Sequence, residues 1–244
     1  MKVFLFLDYD GTLVSFKPRP EQAKPGKKLL RLIRKLCVKK NFVVSVVSGR
    51  TMKELKGFLP IKNLVFASSH GTQISFHSKK EFVFSGALKA VPVIKKIAFL
   101  SEKKFSSVKG LLLQDKKTAF VLHYRNVEKK LHVKLKTAFR KIVKETDTKK
   151  QLELISGAMV LEARPKHWNK GSAVKLILKE FKRKKNDSVF YFGDDLTDED
   201  AFKALKKDFT FLVSQEKKKS NAVFRIKQDK VIPLLRLFLG FPNL

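Results

Sequence analysis

Carboxylates set directly after short apolar runs are the groups best placed to do chemistry in this 244-residue sequence. Lys2 to Leu7 reads as a strand buried on both faces, and Asp8-Tyr9-Asp10-Gly11-Thr12 follows at once. Alternate residues of an extended chain face one way, so Asp8 and Asp10 are expected to point into one site. Gly11 permits a sharp turn that brings backbone N–H groups to an anion. Two neighbouring carboxylates repel, and they persist where a cation binds them or one takes a proton.

A second cluster, Gly193-Asp194-Asp195-Leu196-Thr197-Asp198-Glu199-Asp200, follows the apolar run Ser188 to Phe192. Capping of a helix accounts for Asp198 to Asp200 but not for Asp194 and Asp195 straight after a strand. Oxygen-only ligands suit a hard cation, and magnesium suits phosphate chemistry. Between the two clusters, Ser48-Gly49-Arg50 ends another apolar run and leads into a helix, where a hydroxyl and amides suit a phosphate. Composition does not single out Lys170 among many lysines, and no histidine has metal-ligand spacing to another.

The elements that must position these groups alternate. Helical periodicity covers Lys27 to Lys39, Thr51 to Phe58, Ala173 to Phe181 and Asp198 to Lys206. Buried strands are expected at Phe42 to Val47, Leu64 to Ser68 and Ser188 to Phe192, with a hairpin-like excursion from Gly71 to Phe84. That order predicts an α/β fold with a parallel sheet, whose carboxyl edge is where ligands bind. The middle reads differently. A helix over Ala87 to Lys104, strands at Lys109 to Leu113 and Thr118 to His123, a basic helix from Val127 to Glu145, and strands at Gln151 to Ile155 and Met159 to Ala163 make an α+β insert. The expected division is a core of residues 1–85 and 164–244 with an inserted domain of 86–163.

Bulk properties exclude some classes. Cys37 is the only cysteine, so neither an internal disulfide nor a cysteine metal cage is available. The apolar run at the N-terminus is too short for a signal-peptide core or a membrane span, and a cytoplasmic setting without membrane attachment is expected. The formal charge of +32 could mark a nucleic-acid binder, but it is spread almost evenly: +11 over residues 86–163 and +21 over the rest. A lysine-rich solvated surface without specific nucleic-acid binding is the reading.

The ordered set is similar to haloacid-dehalogenase-type phosphatases, and its details resemble trehalose-6-phosphate phosphatases. The resemblance rests on Asp8-Tyr9-Asp10-Gly11-Thr12-Leu13, Ser48-Gly49-Arg50, His70-Gly71, Leu122-His123-Tyr124-Arg125, Glu162-Ala163-Arg164-Pro165 with Lys170-Gly171, and Gly193-Asp194-Asp195 through Phe202. It runs from residue 4 to about residue 212. It implies a Rossmann-like core with an α+β cap that closes over a sugar phosphate; separately, a monomer is expected. It implies that Asp8 is the nucleophile and Asp10 the acid and base. Magnesium would sit between Asp8, the backbone carbonyl of Asp10, and Asp194, with Asp195 and Asp198 behind it or in secondary contact. Ser48 and Lys170 would hold the phosphoryl group; Gly11, Thr12, Arg50, His70, Gly71, Lys116, Arg125 and Glu162 would bind substrate.

One position departs from the family pattern: Gln114 stands where an acidic residue is expected, so a sugar hydroxyl would meet an amide without charge assistance. Two other readings accompany the first: the same chemistry on a sucrose- or mannosyl-type phosphate, and a basic nucleic-acid-binding protein without turnover.

Overall fold

The structure is a computed structural model and describes residues 1–77, 80–157 and 159–240. It divides into two compact units, Met1–Phe82 with Trp168–Leu244, and Val83–His167.

In the first unit the order is β1 (Val3–Leu7), α1 (Lys27–Cys37), β2 (Phe42–Val47), α2 (Met52–Phe58), β3 (Val65–Ser68), β4 (Gln73–Ser75) and β5 (Glu81–Val83). The second unit contributes α3 (Ser85–Phe105), β6 (Leu112–Asp115), β7 (Phe120–His123), α4 (His132–Thr146), β8 (Leu152–Gly157) and β9 (Val160–Pro165). The chain then completes the first unit with α5 (Lys170–Glu180), β10 (Ser188–Gly193), α6 (Glu199–Ala204), β11 (Phe209–Val213), β12 (Phe224–Ile226) and α7 (Gln228–Leu237).

The large sheet has the order β12-β11-β10-β1-β2-β3-β4-β5. Its strands from β12 to β3 are mutually parallel, and β4 runs antiparallel to β3. β1 lies between β10 and β2, with Leu7 in register with Phe192 and Val46. All five β1 side chains are buried because the sheet is covered on both faces. Alternation assigns them to two cores: Leu5 and Leu7 pack with Leu32 and Leu36 of α1 and Leu235 of α7, while Phe4 and Phe6 pack with Val174 and Ile177 of α5 and Phe202 of α6. The α/β architecture expected from the strand–helix alternation is the one observed.

The second unit is an antiparallel sheet, β6-β7-β9-β8, whose Phe120, Leu122, Leu161 and Ala163 pack on Ile94 and Ile97 of α3 and Phe139 and Ile142 of α4. Here the sequence-based boundaries shift. β6 begins at Leu112 rather than Lys109, because Gly110 at φ +80° turns the chain first. The basic helix begins at His132 rather than Val127, after a turn in which the Val127 N–H donates to the Tyr124 carbonyl at 3.2 Å. In the first unit α5 starts three residues before the expected Ala173, and β11, β12 and α7 were not anticipated. The 78–79 part of the expected Gly71 to Phe84 excursion, and position 158 between the last two strands of the insert, lie outside the described residues. No helix among the described residues is long and apolar enough to cross a membrane.

Candidate active site

Asp8 follows β1 directly and is 4% exposed; its N–H donates to the Phe192 carbonyl at 2.8 Å, extending the β1–β10 pairing one step. The parallel register therefore brings the first and last acidic clusters to one sheet edge. Lys170 reaches the same point from the start of α5. Asn169 caps that helix, its side chain accepting from the Ser172 N–H at 2.9 Å, and this fixes the first turn. The buried Lys170 Nζ donates to Asp8 Oδ1 at 2.7 Å and to Asp198 Oδ1 at 2.8 Å.

The loop after β10 is folded around its own carboxylates. Asp198 accepts from the backbone N–H groups of Asp194 and Asp195 at 3.1 and 3.2 Å and from the Tyr191 hydroxyl at 2.6 Å. A Cβ on Gly193 would stand 2.3 Å from Asp198 Cγ, so only glycine lets this carboxylate close on the loop. Capping is thus distributed otherwise than the sequence suggests. Asp195 is the cap, accepting from the Thr197 N–H at 2.8 Å and its hydroxyl at 2.7 Å, whereas Asp198 makes no side-chain cap to α6. Asp194 packs against Gly11: a Cβ there would lie 2.2 Å from Asp194 Oδ2, and Gly11 holds φ +84°. The Thr12 hydroxyl donates to Asp194 at 3.4 Å, and the Lys218 ammonium donates to the Asp194 carbonyl.

Carboxylate oxygens of Asp8, Asp194 and Asp198 all lie within 4.8 Å of one another. Burial drives the Asp8 carboxyl well above its ordinary value; Lys170 pulls it back, and Asp198 and Asp194 push it up again. Burial, then Asp198 and Asp195, push Asp194 up to about 7. Asp198 is also raised by burial, against the pull of Lys170. For Asp195 burial acts upward too, but Lys170 and the Thr197 hydrogen bonds outweigh it and hold the group low. Lys170 stays charged, since Asp198 and Asp8 outweigh the burial that opposes its charge. Three converging carboxylates against one ammonium leave excess negative charge that a cation would neutralise, and all-oxygen donors suit a hard divalent ion. The residues therefore fit a metal. Asp198 already accepts four hydrogen bonds, so Asp8 and Asp194 have the open oxygens.

Asp10 takes a different partner from Asp8. β1 ends at Leu7, and Leu13 and Val14 N–H both donate to the Tyr9 carbonyl at 3.0 Å, so the alternation expected of an extended segment no longer governs the side chain. Its carboxylate meets Arg50 in a fork, Nε to Oδ2 and Nη2 to Oδ1, both 2.7 Å. Ser48 is buried at the end of β2, where its hydroxyl accepts from the Arg50 N–H at 3.2 Å. His70 and Gly71 form a tight turn after β3; the His70 ring lies where a Gly49 Cβ would be, 2.8 Å away, and Gly71 accepts from Trp168 Nε1 at 2.7 Å. Sequence reasoning missed Tyr191, Lys218 and the Asp10–Arg50 fork. Only Tyr191 carried a signal, since a phenol inside a buried strand must find a polar partner.

In the second unit Lys116 and Glu162 form a 3.1 Å ion pair with side chains 8% and 7% exposed. His123 Nε2 and Gln114 Oε1 are 3.0 Å apart, so the amide at the departing position has an imidazole partner. Arg125, two residues past β7, is exposed.

Comparisons with known proteins place the chain in a family. The family profile described as trehalose-phosphatase matches residues 6–230. The chain is 30% identical over 245 residues to trehalose-phosphate phosphatase B of Arabidopsis thaliana, covering 95% of this chain and 64% of that protein. It is 32% identical over 254 residues to the probable trehalose-phosphate phosphatase J of the same plant, covering 98% and 66%. It thus spans just under two thirds of the length of these curated relatives. Among solved structures, the C-terminal domain of a trehalose-6-phosphate phosphatase from C. albicans superimposes with a TM-score of 0.83 at 26% identity, covering 98% of this chain and 92% of that one. With a match over nearly its whole length and carboxylates gathered at the sheet edge, the chain belongs to the trehalose-phosphatase family.

Proposed function

We propose that this chain hydrolyses trehalose 6-phosphate to trehalose and phosphate through a phospho-aspartyl intermediate on Asp8, with Mg2+ as cofactor, in a reducing cytoplasmic setting. The observation that carries the reading is Asp8 itself: buried at the mouth of the central strand, fixed by Lys170, and crowded by two further carboxylates. Magnesium held by Asp8, Asp194 and the backbone carbonyl of Asp10 would neutralise charge on the phosphate so that an anionic nucleophile can approach. Asp195 and Asp198 stand behind that set and shape its loop.

Lys170 spends two of its three N–H donors on Asp8 and Asp198, which leaves one for a phosphoryl oxygen. The Ser48 hydroxyl, its oxygen already accepting from the Arg50 N–H, still has its proton to donate to the same group. In the first step an Asp8 oxygen bonds to phosphorus, the bond from phosphorus to the sugar oxygen breaks, and that oxygen takes a proton from Asp10. In the second, water bonds to phosphorus, gives a proton to Asp10 and releases phosphate from Asp8. Gly11 and Thr12 would meet the phosphate, and His70 and Gly71 would add contacts to the substrate. The 83–167 unit supplies sugar recognition through Lys116, Glu162 and Arg125, a role supported by their buried or motif positions. The Gln114–His123 contact favours one second reading, a different sugar-phosphate ester.

Phosphate release from a panel of sugar phosphates, with Mg2+ and with chelator, tests the proposal. Trehalose 6-phosphate should be preferred, chelator should abolish turnover, and Asp8→Asn should reduce it on the order of 10⁴-fold or more while remaining folded. Appreciable turnover by Asp8→Asn removes the nucleophile assignment; a clear preference for another ester removes trehalose 6-phosphate.

A further inference from the structure

Arg50 was expected to bind substrate, and its surroundings argue for another task. Its side chain is 7% exposed, and its guanidinium lies 5.2 Å from the Tyr9 ring centre and 5.0 Å from that of Phe58. Besides the two bonds to Asp10, Nη2 donates to the Pro20 carbonyl at 2.9 Å and Nη1 to Glu54 at 3.4 Å. Four of its five N–H donors are thus spent inside the protein. A group so enclosed has little left for a phosphate, whereas a planar fork is well suited to fixing a carboxylate.

We infer that Arg50 is a positioning residue for Asp10, holding its carboxyl plane so that the proton is delivered to the leaving sugar oxygen. The inference rests on the phosphatase reading above. A carboxylate offers about four lone-pair sites; the fork takes one on each oxygen and stops rotation about Cβ–Cγ. The lone pairs outside the fork then point in fixed directions. Glu54 braces the fork from behind, itself held by Thr51, whose N–H donates to it at 2.9 Å and whose hydroxyl does so at 2.6 Å. Tyr9 is braced as well, its hydroxyl donating to the Ala23 carbonyl at 2.8 Å. Preorganisation of this kind matters only where the transferred proton matters.

Leaving-group chemistry isolates that dependence. A sugar alkoxide departs poorly without a proton, whereas nitrophenolate departs without one. The measurement is kcat/KM, which reports capture of the phosphoryl group by Asp8, for trehalose 6-phosphate (or the best sugar phosphate of the panel) and for p-nitrophenyl phosphate. The ratio of the two values within one preparation is independent of how much of a variant folds. Arg50→Met should lower the ratio of sugar to aryl ester about 100-fold, within the range for a misplaced general acid. Arg50→Lys, which keeps the charge but not the fork, should lower it less. Asp10→Asn should lower it at least as much as Arg50→Met, and the double variant no further than Asp10→Asn alone. An unchanged ratio in Arg50→Met overturns the inference, because a merely structural or phosphate-binding role weakens both esters equally. A raised ratio overturns it too, since it would make Arg50 a restraint on Asp10. If the unaltered chain hydrolyses neither ester, the phosphatase reading falls and takes this one with it.

Discussion

Two groups of charges, one in each unit, are buried in opposite ways. In the 83–167 unit two carboxylates each meet a cation of their own, Glu162 with Lys116 and Glu153 with Arg164 at 2.8 Å, and the buried Asp147 accepts from the Gln151 and Leu152 N–H groups. In the other unit Asp8, Asp194 and Asp198 share a single ammonium, Lys170. The topology explains part of the contrast. Antiparallel strands place partners across a sheet face, one against one. Parallel strands bring every strand end to one edge, so groups following β1 and β10 collect there whether or not their charges balance. A matched pair balances its charge within the fold, whereas the cluster carries more carboxylates than cations and suits a bound cation.

Three experiments sharpen or break this comparison. The largest effect should come from Lys170→Met, which leaves Asp8 and Asp198 buried without their cation. A loss of about 3–5 kcal/mol is expected in metal-free protein, measured by urea unfolding. A loss below 1 kcal/mol would mean that the cluster is already neutralised by protons.

Next comes the response to pH and cation. Asp194 sits at about 7 in the folded chain against an ordinary 3.8, so the folded state holds a proton that the unfolded state releases. Stability of metal-free protein should therefore fall as pH rises from about 4 to about 7, by as much as a few kcal/mol. Magnesium, by favouring the ionised carboxylates, should flatten that fall. Thermal melts at pH 5 and pH 8, with Mg2+ and with chelator, read both effects; identical slopes in the two conditions would break the picture.

The smallest change should follow replacement of the whole pair in the other unit. Lys116→Met alone removes the cation beside Glu162 and should destabilise, while Lys116→Met with Glu162→Leu should return to within about 1 kcal/mol of the starting stability. Chemical denaturation of the single and double variants decides this. A double variant as weak as the single would show that the pair is not self-contained.

Much of the acidic sheet edge was legible because its signals are local. An apolar run ending in a carboxylate marks the end of a buried strand, as at Leu7–Asp8 and at Phe192–Gly193–Asp194. The start of α5 could have been read from Asn169, whose side chain accepts from the Ser172 N–H three residues on. What escaped depends on separation. The Asp10–Arg50 fork joins residues 40 apart, and nothing in either motif tells which acid a basic side chain will choose. Asp195, to which no capping was assigned, is the cap, because Gly193 lets the Asp198 carboxylate fold back on the loop. β11 and β12 went unread although Phe209, Phe211 and Phe224 stack as neighbours at 5.0 to 6.4 Å, because the lysine-rich stretch between them hid two short strands.

β1 pairs with β10, whose residues lie some 185 positions later, and the 83–167 unit occupies the interval. On a ribosome, Asp8 emerges more than 160 residues ahead of Lys170, Asp194 and Asp198. The intervening sheet and its two helices have their own core and can form during the delay. The edge of β1 that awaits β10 stays open meanwhile, which makes it the segment most exposed to wrong pairing. Assembly of the carboxylate cluster is thus deferred until residue 198 has been made, and a chain interrupted before that point carries Asp8 without its surroundings.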